Sequence, residues 1–283
     1  MSNQTVTKVV IKWHCGLLFF DEYHLKRLKR YKYERYAILC QLAYSAKTEY
    51  ELDFSNYQQA EFFDSSKRSC VRVVWQQQKK EVVVVFRGSH SVRDWLLNLC
   101  VLPRKVKQEH SRYWVHWGVY NLLKQPCYQV DPKKVMKLDR ALLKLLSPLV
   151  AEGKKVTFIG HSTGGAMAVL FADWFERIYT GKTKRVVTFG QPSLGGWSFA
   201  KSYALPNKTY RICCDIDMVT FLPPLPYVYF HVGKMLWLHN DVIYDNIPPW
   251  KRLLLTLRAW IIGPISNHFM HKYIRHKGLF DEH

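Results

Sequence analysis

Val156-Thr157-Phe158-Ile159-Gly160-His161-Ser162-Thr163-Gly164-Gly165 decides the fold. A short, mostly apolar run ends in Gly-His-Ser-Thr-Gly, and Ala166 to Tyr179 follows at once with a helical pattern. A serine set between a strand and a helix is the context of a nucleophile elbow. The turn is too sharp for side chains at its flanks, so Gly160 and Gly164 leave room where Cβ atoms would meet the neighbouring strand or helix. It lifts Ser162 Oγ above the sheet edge and frees the Thr163 amide to face an oxyanion. A bare Gly-x-Ser-x-Gly also occurs as a plain tight turn; the strand before it and the helix after it favour the elbow.

Outward from the elbow, Lys154–Ile159 is the strand that enters it. Upstream, Cys70 to Trp75 and Val82 to Phe86 are β-branched runs separated by Gln76–Lys80, which suits a hairpin. The unalternating Val82-Val83-Val84-Val85-Phe86 predicts a strand buried on both faces. It leads into Arg87-Gly88-Ser89 and then a short helix over Asp94–Leu99. Residues 100–115 read as irregular, the expected place for a small lid. His116 to Lys124 and Pro132 to Glu152 read as helices, the second bent near Pro148. Downstream, Arg185–Phe189, closed by Gly190-Gln191-Pro192, and Lys208–Cys214 read as strands. Tyr227–Val232 with Met235–His239 looks like a late β-ribbon, and a helical pair, Trp250–Ile262 and Ser266–His276, closes the chain. Before all of these, Leu25, Leu28, Tyr31, Ile38, Leu39 and Leu42 are spaced for one or two amphipathic helices over 21–48. Strands alternating with helices predict an α/β fold, a mostly parallel sheet covered by helices on both faces. No linker or repeat divides the chain, so the expectation is one domain over 1–283, a helix-rich extension at 1–65 packed on a core of about 70–275.

The 283 residues suffice for a large core, and 48% hydrophobic with 15% aromatic composition excludes a disordered chain. The formal charge of +20 calls for anionic partners. The densest basic stretch, Lys26 to Arg35, is interleaved with tyrosines, but no zinc spacing or nucleic-acid motif accompanies it. A basic surface for anionic phospholipid therefore outweighs a nucleic-acid module. The seven cysteines lack a framework spacing and read as reduced buried thiols. Ile11–Phe20 is broken by Lys12 and His14 and has no cleavage site, so no signal peptide is expected. Leu253–Ile265, cut by Arg258 and Pro264, is too short to span a bilayer. The expected location is cytoplasmic, or outside by a route that needs no signal peptide, with peripheral membrane contact.

A serine nucleophile needs a base, and the base an orienting acid. In elbow-bearing sheets these follow in the order Ser, Asp or Glu, His. Asp215 and Asp217 stand just after the strand Tyr210–Cys214. Asp217 opens the rigid Asp217-Met218-Val219-Thr220-Phe221-Leu222-Pro223-Pro224 loop, and Asp215 is the fallback. A capping aspartate is the bland alternative. The histidines available as base are His231, His239, His268, His271, His276 and His283, with His268 entering the last helix.

These residues lie in a chain that resembles the class 3 (fungal-type) lipases of the α/β-hydrolase superfamily over about 70–275. Five blocks match in order: Val84-Val85-Phe86-Arg87-Gly88-Ser89, Val115-His116-Trp117-Gly118, Gly160-His161-Ser162-Thr163-Gly164-Gly165, Asp217-Met218-Val219 leading into Leu222-Pro223-Pro224, and Asn267-His268-Phe269-Met270-His271-Lys272-Tyr273. The resemblance implies an α/β-hydrolase fold, Ser162 as nucleophile, Asp217 as orienting acid, His268 as base, and Ser89 with Thr163 as oxyanion donors. It implies a lipase acting on acylglycerols without metal or organic cofactor. The alternatives are a phospholipase A-type enzyme on anionic membranes, or an inactive hydrolase-fold lipid-binding or interaction protein. In Trp250–Ile262, apolar Trp250, Leu253, Leu254, Leu257, Trp260 and Ile261 share one helical face with Lys251, Arg252 and Arg258 largely opposite. That pattern suits either a helix in a membrane interface or one packed on the sheet.

Overall fold

Glu81–Phe86 (β3) shows why the sheet is central. Val82, Val84 and Phe86 enter one apolar cluster, while Val83 and Val85 enter the cluster on the opposite face. The computed structural model describes residues 30–44, 56–88, 102–108, 111–215, 217–223, 225, 228–239, 242–245 and 268–274. An eight-stranded sheet runs in the order β1 (Gln58–Phe63), β2 (Ser69–Trp75), β3, β8 (Lys155–His161), β9 (Thr183–Phe189), β10 (Thr209–Cys214), β11 (Lys234–His239), β12 (Val242–Asp245). The five strands from β3 to β11 are parallel to their neighbours, and β1, β2 and β12 pair antiparallel at the edges. Two short ribbons, β4 (Pro103–Gln108) with β5 (Ser111–His116) and β6 (Pro126–Cys127) with β7 (Met136–Lys137), lie outside the sheet.

Helices cover both faces. Helix α1 (Arg30–Leu42) buries Tyr36, Ala37, Ile38, Leu39 and Cys40 against the face that carries Ile159, Val187 and Ile212. On the other face lie α2 (Trp117–Lys124), α3 (Leu138–Ala151) and α4 (Thr163–Ile178). Helix α4 is buried from Thr163 to Glu176, because it lies between the sheet and α2. A buried phenylalanine such as Phe158 or Phe171 stabilises this packing by about 1.5–3 kcal/mol relative to an exposed one. Asp173 ties α4 to the segment just after the short helix α5 (Trp197–Ser202): its carboxylate accepts from Arg177 at 2.9 Å and from the Ala204 amide at 2.9 Å.

Three readings need correction. Within the stretch 100–115, read as irregular, 103–108 and 111–116 instead pair as the antiparallel strands β4 and β5, with Val106, Tyr113 and Val115 turned inward. The helix expected from Pro132 begins at Leu138 and continues through Pro148. Met235–His239 is not one arm of a ribbon with 227–232. It is a sheet strand, parallel to β10 and antiparallel to β12, while Phe230 makes only an isolated bridge to Gly195. β1 was not anticipated, because Gln58-Gln59-Ala60-Glu61 carries little apolar signal. The expected helices over 94–99 and 250–262 lie outside the described residues. All five described cysteines are buried and free.

Candidate active site

Strand β8 ends in an abrupt turn. Ser162 has φ 57° and ψ −131°, a conformation that L-residues rarely adopt and that marks a functional position when the surroundings enforce it. The surroundings do so by close approach. A Cβ on Gly160 would lie 2.3 Å from the Gly164 carbonyl oxygen, and one on Gly164 would lie 2.4 Å from the Phe86 carbonyl oxygen. The Ser162 amide donates to Phe189 O at 2.9 Å, which ties the turn to β9. Thr163 is the first residue of α4, so its amide is among the unpaired donors at a helix N-terminus. Ser162 and Thr163 are both buried. Gly88 is described and packs beside Ser162 Cβ, whereas Ser89 lies outside the described residues.

Asp217 and His268 come together across 51 positions of sequence. His268 Nδ1 stands 2.8 Å from both Asp217 carboxylate oxygens, with both side chains fully buried. A carboxylate facing it can only accept, so the imidazole proton sits on Nδ1. Nε2 is then left with its lone pair, and it has no hydrogen-bond partner among the described residues. Asp217 caps the turn Met218–Phe221 by accepting from the Val219 amide at 3.0 Å, and also accepts from the Tyr273 hydroxyl. Capping and pairing with His268 therefore occur in one carboxylate. Tyr273 loses its proton only well above the usual range, because it is buried and faces Asp217. Gly190, at φ 57°, makes the room: a Cβ there would stand 2.3 Å from Asp217 Oδ2 and 2.9 Å from His268 Nδ1.

The other candidates are engaged elsewhere. Asp215 pairs with His239 at 2.7 Å, His231 donates to Thr220 O at 2.9 Å, and His271 is exposed beside Phe269. His276 and His283 lie outside the described residues.

His161 joins the elbow to the base. Its ring lies 4.5 Å from that of His268, and Nε2–H donates to the His268 carbonyl at 2.7 Å. Burial, with His268 alongside, holds its pKa well below the ordinary 6.5, so the ring is neutral and Nδ1 is an acceptor. The Tyr44 hydroxyl donates to that nitrogen at 2.9 Å and accepts from the Gly88 amide. Tyr44, just past the end of α1, thus links the loop after β3, the elbow and the backbone of His268. Sequence reasoning missed Tyr44, Gly190 and Tyr273 as site residues. Gly190 stood at the end of a strand and Tyr273 in the last matching block, but Tyr44 carries no local signal. Among the described residues no group of histidines, cysteines and carboxylates could hold a metal ion, and no helix is long and apolar enough to cross a membrane.

Comparison with known proteins agrees with this architecture. A lipase of Rhizomucor miehei is 29% identical over 174 residues, which is 60% of this chain and 44% of that protein. The secreted mono- and diacylglycerol lipase 1 of Fusarium solani is 28% identical over 161 residues, 56% of this chain and 44% of that protein. The chain thus spans less than half the length of these curated relatives. The solved Rhizomucor miehei triacylglyceride lipase superposes with a TM-score of 0.65 at 19% identity, covering 89% of this chain and 96% of that one, and so shares the α/β-hydrolase fold. Residues 83–227, just over half of the chain, match the family model of the class 3 lipases. With the elbow inside that span, the chain belongs to the class 3 lipase family.

Proposed function

We propose that this protein is a serine carboxylic-ester hydrolase, a lipase acting on acylglycerols, with Ser162 as nucleophile, His268 as general base and Asp217 as orienting acid. The observation that carries the reading is the buried Asp217–His268 pair at 2.8 Å, in ring contact with His161, the residue that precedes a serine at positive φ. His268 Nε2 takes the proton of Ser162 as Oγ attacks the ester carbonyl, and Asp217 stabilises the imidazolium that forms. The Thr163 amide, with Ser89, holds the oxyanion; each such donor contributes about 3 kcal/mol to lowering the barrier. The alcohol leaves with the proton from His268. Water then attacks the acyl-enzyme by the same route, returning serine and a carboxylic acid. No metal or organic cofactor enters these steps.

In this reading residues 1–283 act as one hydrolase domain, with the segment before residue 65 as an extension that reaches the site through Tyr44. The charge of +20 favours a second substrate class, anionic phospholipids, attacked as by a phospholipase A. Contact with such a surface through 250–262 and basic residues belongs to the same proposal.

The test is release of p-nitrophenol from short- and long-chain esters, with covalent labelling by a fluorophosphonate. Wild type is expected to hydrolyse and to be labelled at Ser162. Ser162→Ala should lose about 10⁶ in rate, as when a triad serine is removed. An alanine variant as active as wild type would overturn the assignment.

A further inference from the structure

We propose that the outward face of the β4–β5 ribbon, with Trp197 and Val228 beside it, is a surface through which this protein docks on an anionic phospholipid bilayer, in addition to any contact through 250–262. Alternation places Val106, Tyr113 and Val115 inward and leaves Lys105, Lys107, Arg112 and Trp114 outward and exposed. The register sets Lys107 directly opposite Arg112, and Lys105 opposite Trp114. Like charges facing each other across strands are destabilising without an anion between them. Among the described residues no carboxylate pairs with any of the three cations. Lys105 instead places Nζ 5.9 Å from the Trp114 ring centre, so charge and indole share one spot.

The apolar part is continuous with the ribbon. Trp114 O accepts from the Gly196 amide at 2.8 Å, and Gly195 bridges both Val115 and Phe230. Trp197 packs edge-on to Phe230 at 5.6 Å yet is 67% exposed; Trp114 is 45% and Val228 43% exposed. An exposed tryptophan with a lysine over its ring, beside further exposed apolar side chains, matches a bilayer interface, where indoles sit at headgroup level and lysine and arginine meet anionic lipid. The placement suits catalysis at that surface. Parallel strands β8 and β9 leave the same sheet edge, one into Ser162 and the other through 190–196 to Trp197.

Which lipid is cleaved rests on the ester-hydrolase reading; binding does not, so it is measured on the Ser162→Ala chain. Sedimentation uses vesicles of phosphatidylcholine alone and of equimolar phosphatidylcholine and phosphatidylserine. Binding is expected on the second only, weakening as salt rises. Replacing Lys105, Lys107 and Arg112 together by glutamine should weaken it about a hundredfold, ~3 kcal/mol at 1.4 kcal/mol per decade. Trp197→Ala should weaken it about tenfold at every salt concentration. An equal loss of charge at Lys79, Lys80 and Lys155, at the opposite sheet edge, should leave binding nearly unchanged. With Ser162 restored, hydrolysis of a short soluble ester by the ribbon variants should match wild type, which shows that they fold. Unaltered vesicle binding by the ribbon variants would overturn the proposal, as would an equal loss in the distal control. Tighter binding to single-stranded DNA than to anionic vesicles at the same salt would also overturn it.

Discussion

Asp215 and Asp217 stand two positions apart after the same strand, yet their surroundings give them different partners. Asp217 meets His268 and Tyr273 in a fully buried pocket, while Asp215 meets the half-buried His239. Asp217→Asn should therefore lower kcat about ten-thousandfold, because an amide no longer holds the imidazole tautomer, whereas Asp215→Asn should keep most activity. Ester hydrolysis by purified variants checks this, and a greater loss at Asp215 would reassign the acid. Tyr44→Phe probes the link from α1. It leaves His161 Nδ1 buried without a donor, at a cost of about 1–3 kcal/mol. The expected outcome is a kcat about tenfold lower with KM unchanged. A lower melting temperature with unchanged kcat would mean that the hydroxyl only supports the fold. Neither Tyr44 nor Gly190 was legible as a site residue. A hydrogen bond spanning 117 positions, or the Cβ-free space at Gly190, has no signature in local sequence.

Elements were legible where burial on both faces enforced a long apolar run. β3, β8 and β9 show such runs, because both clusters claim their side chains, while β10 gives Ile212 and Cys214 to one of them and Cys213 to a third, smaller cluster. The β4–β5 hairpin was not, since each strand spends its outward positions on cations and leaves few inward apolar residues. Pairing was also hidden. β11 carries a strand pattern, but its partner β10 is chosen by a parallel crossover that periodicity does not encode. Element stability has its own test at the β2–β3 turn. Lys154 is 5% exposed and donates to the carbonyls of Gln76, Gln77 and Lys79, at 3.2, 2.7 and 3.1 Å. Lys154→Met removes all three donors; Gln76 O keeps the Lys79 amide at 3.2 Å, but the carbonyls of Gln77 and Lys79 lose this partner, each at a cost of about 1 kcal/mol or more. The melting temperature should drop clearly, while room-temperature hydrolysis stays near wild type because the turn lies at the sheet edge opposite Ser162. A melting temperature equal to wild type would show that water satisfies those carbonyls equally well.

The whole molecule carries +20 before any of its 12 histidines gains a proton, so acid adds repulsion to an already cationic surface. A second acid effect comes from burial. His116 is 4% exposed, neither ring nitrogen has a partner among the described residues, and burial pushes its pKa down to about 4. His161 is displaced in the same direction. Unfolded, each binds a proton near the ordinary 6.5; folded, each resists it. The unfolded state thus holds more protons below that pH, and stability must fall as pH drops from about 6.5 toward 4. Salt separates the two contributions. Surface repulsion is screened beyond about 8 Å at physiological ionic strength, while the desolvation of a buried ring is not. Melting temperatures measured across this range should therefore rise with salt, yet keep a residual acid slope at high salt. His116→Leu should flatten that residual slope and, by removing two unpaired nitrogens, raise the melting temperature at neutral pH. An unchanged slope in His116→Leu would place the acid sensitivity in His161 and the site around it, which activity measured along the same pH series would then follow.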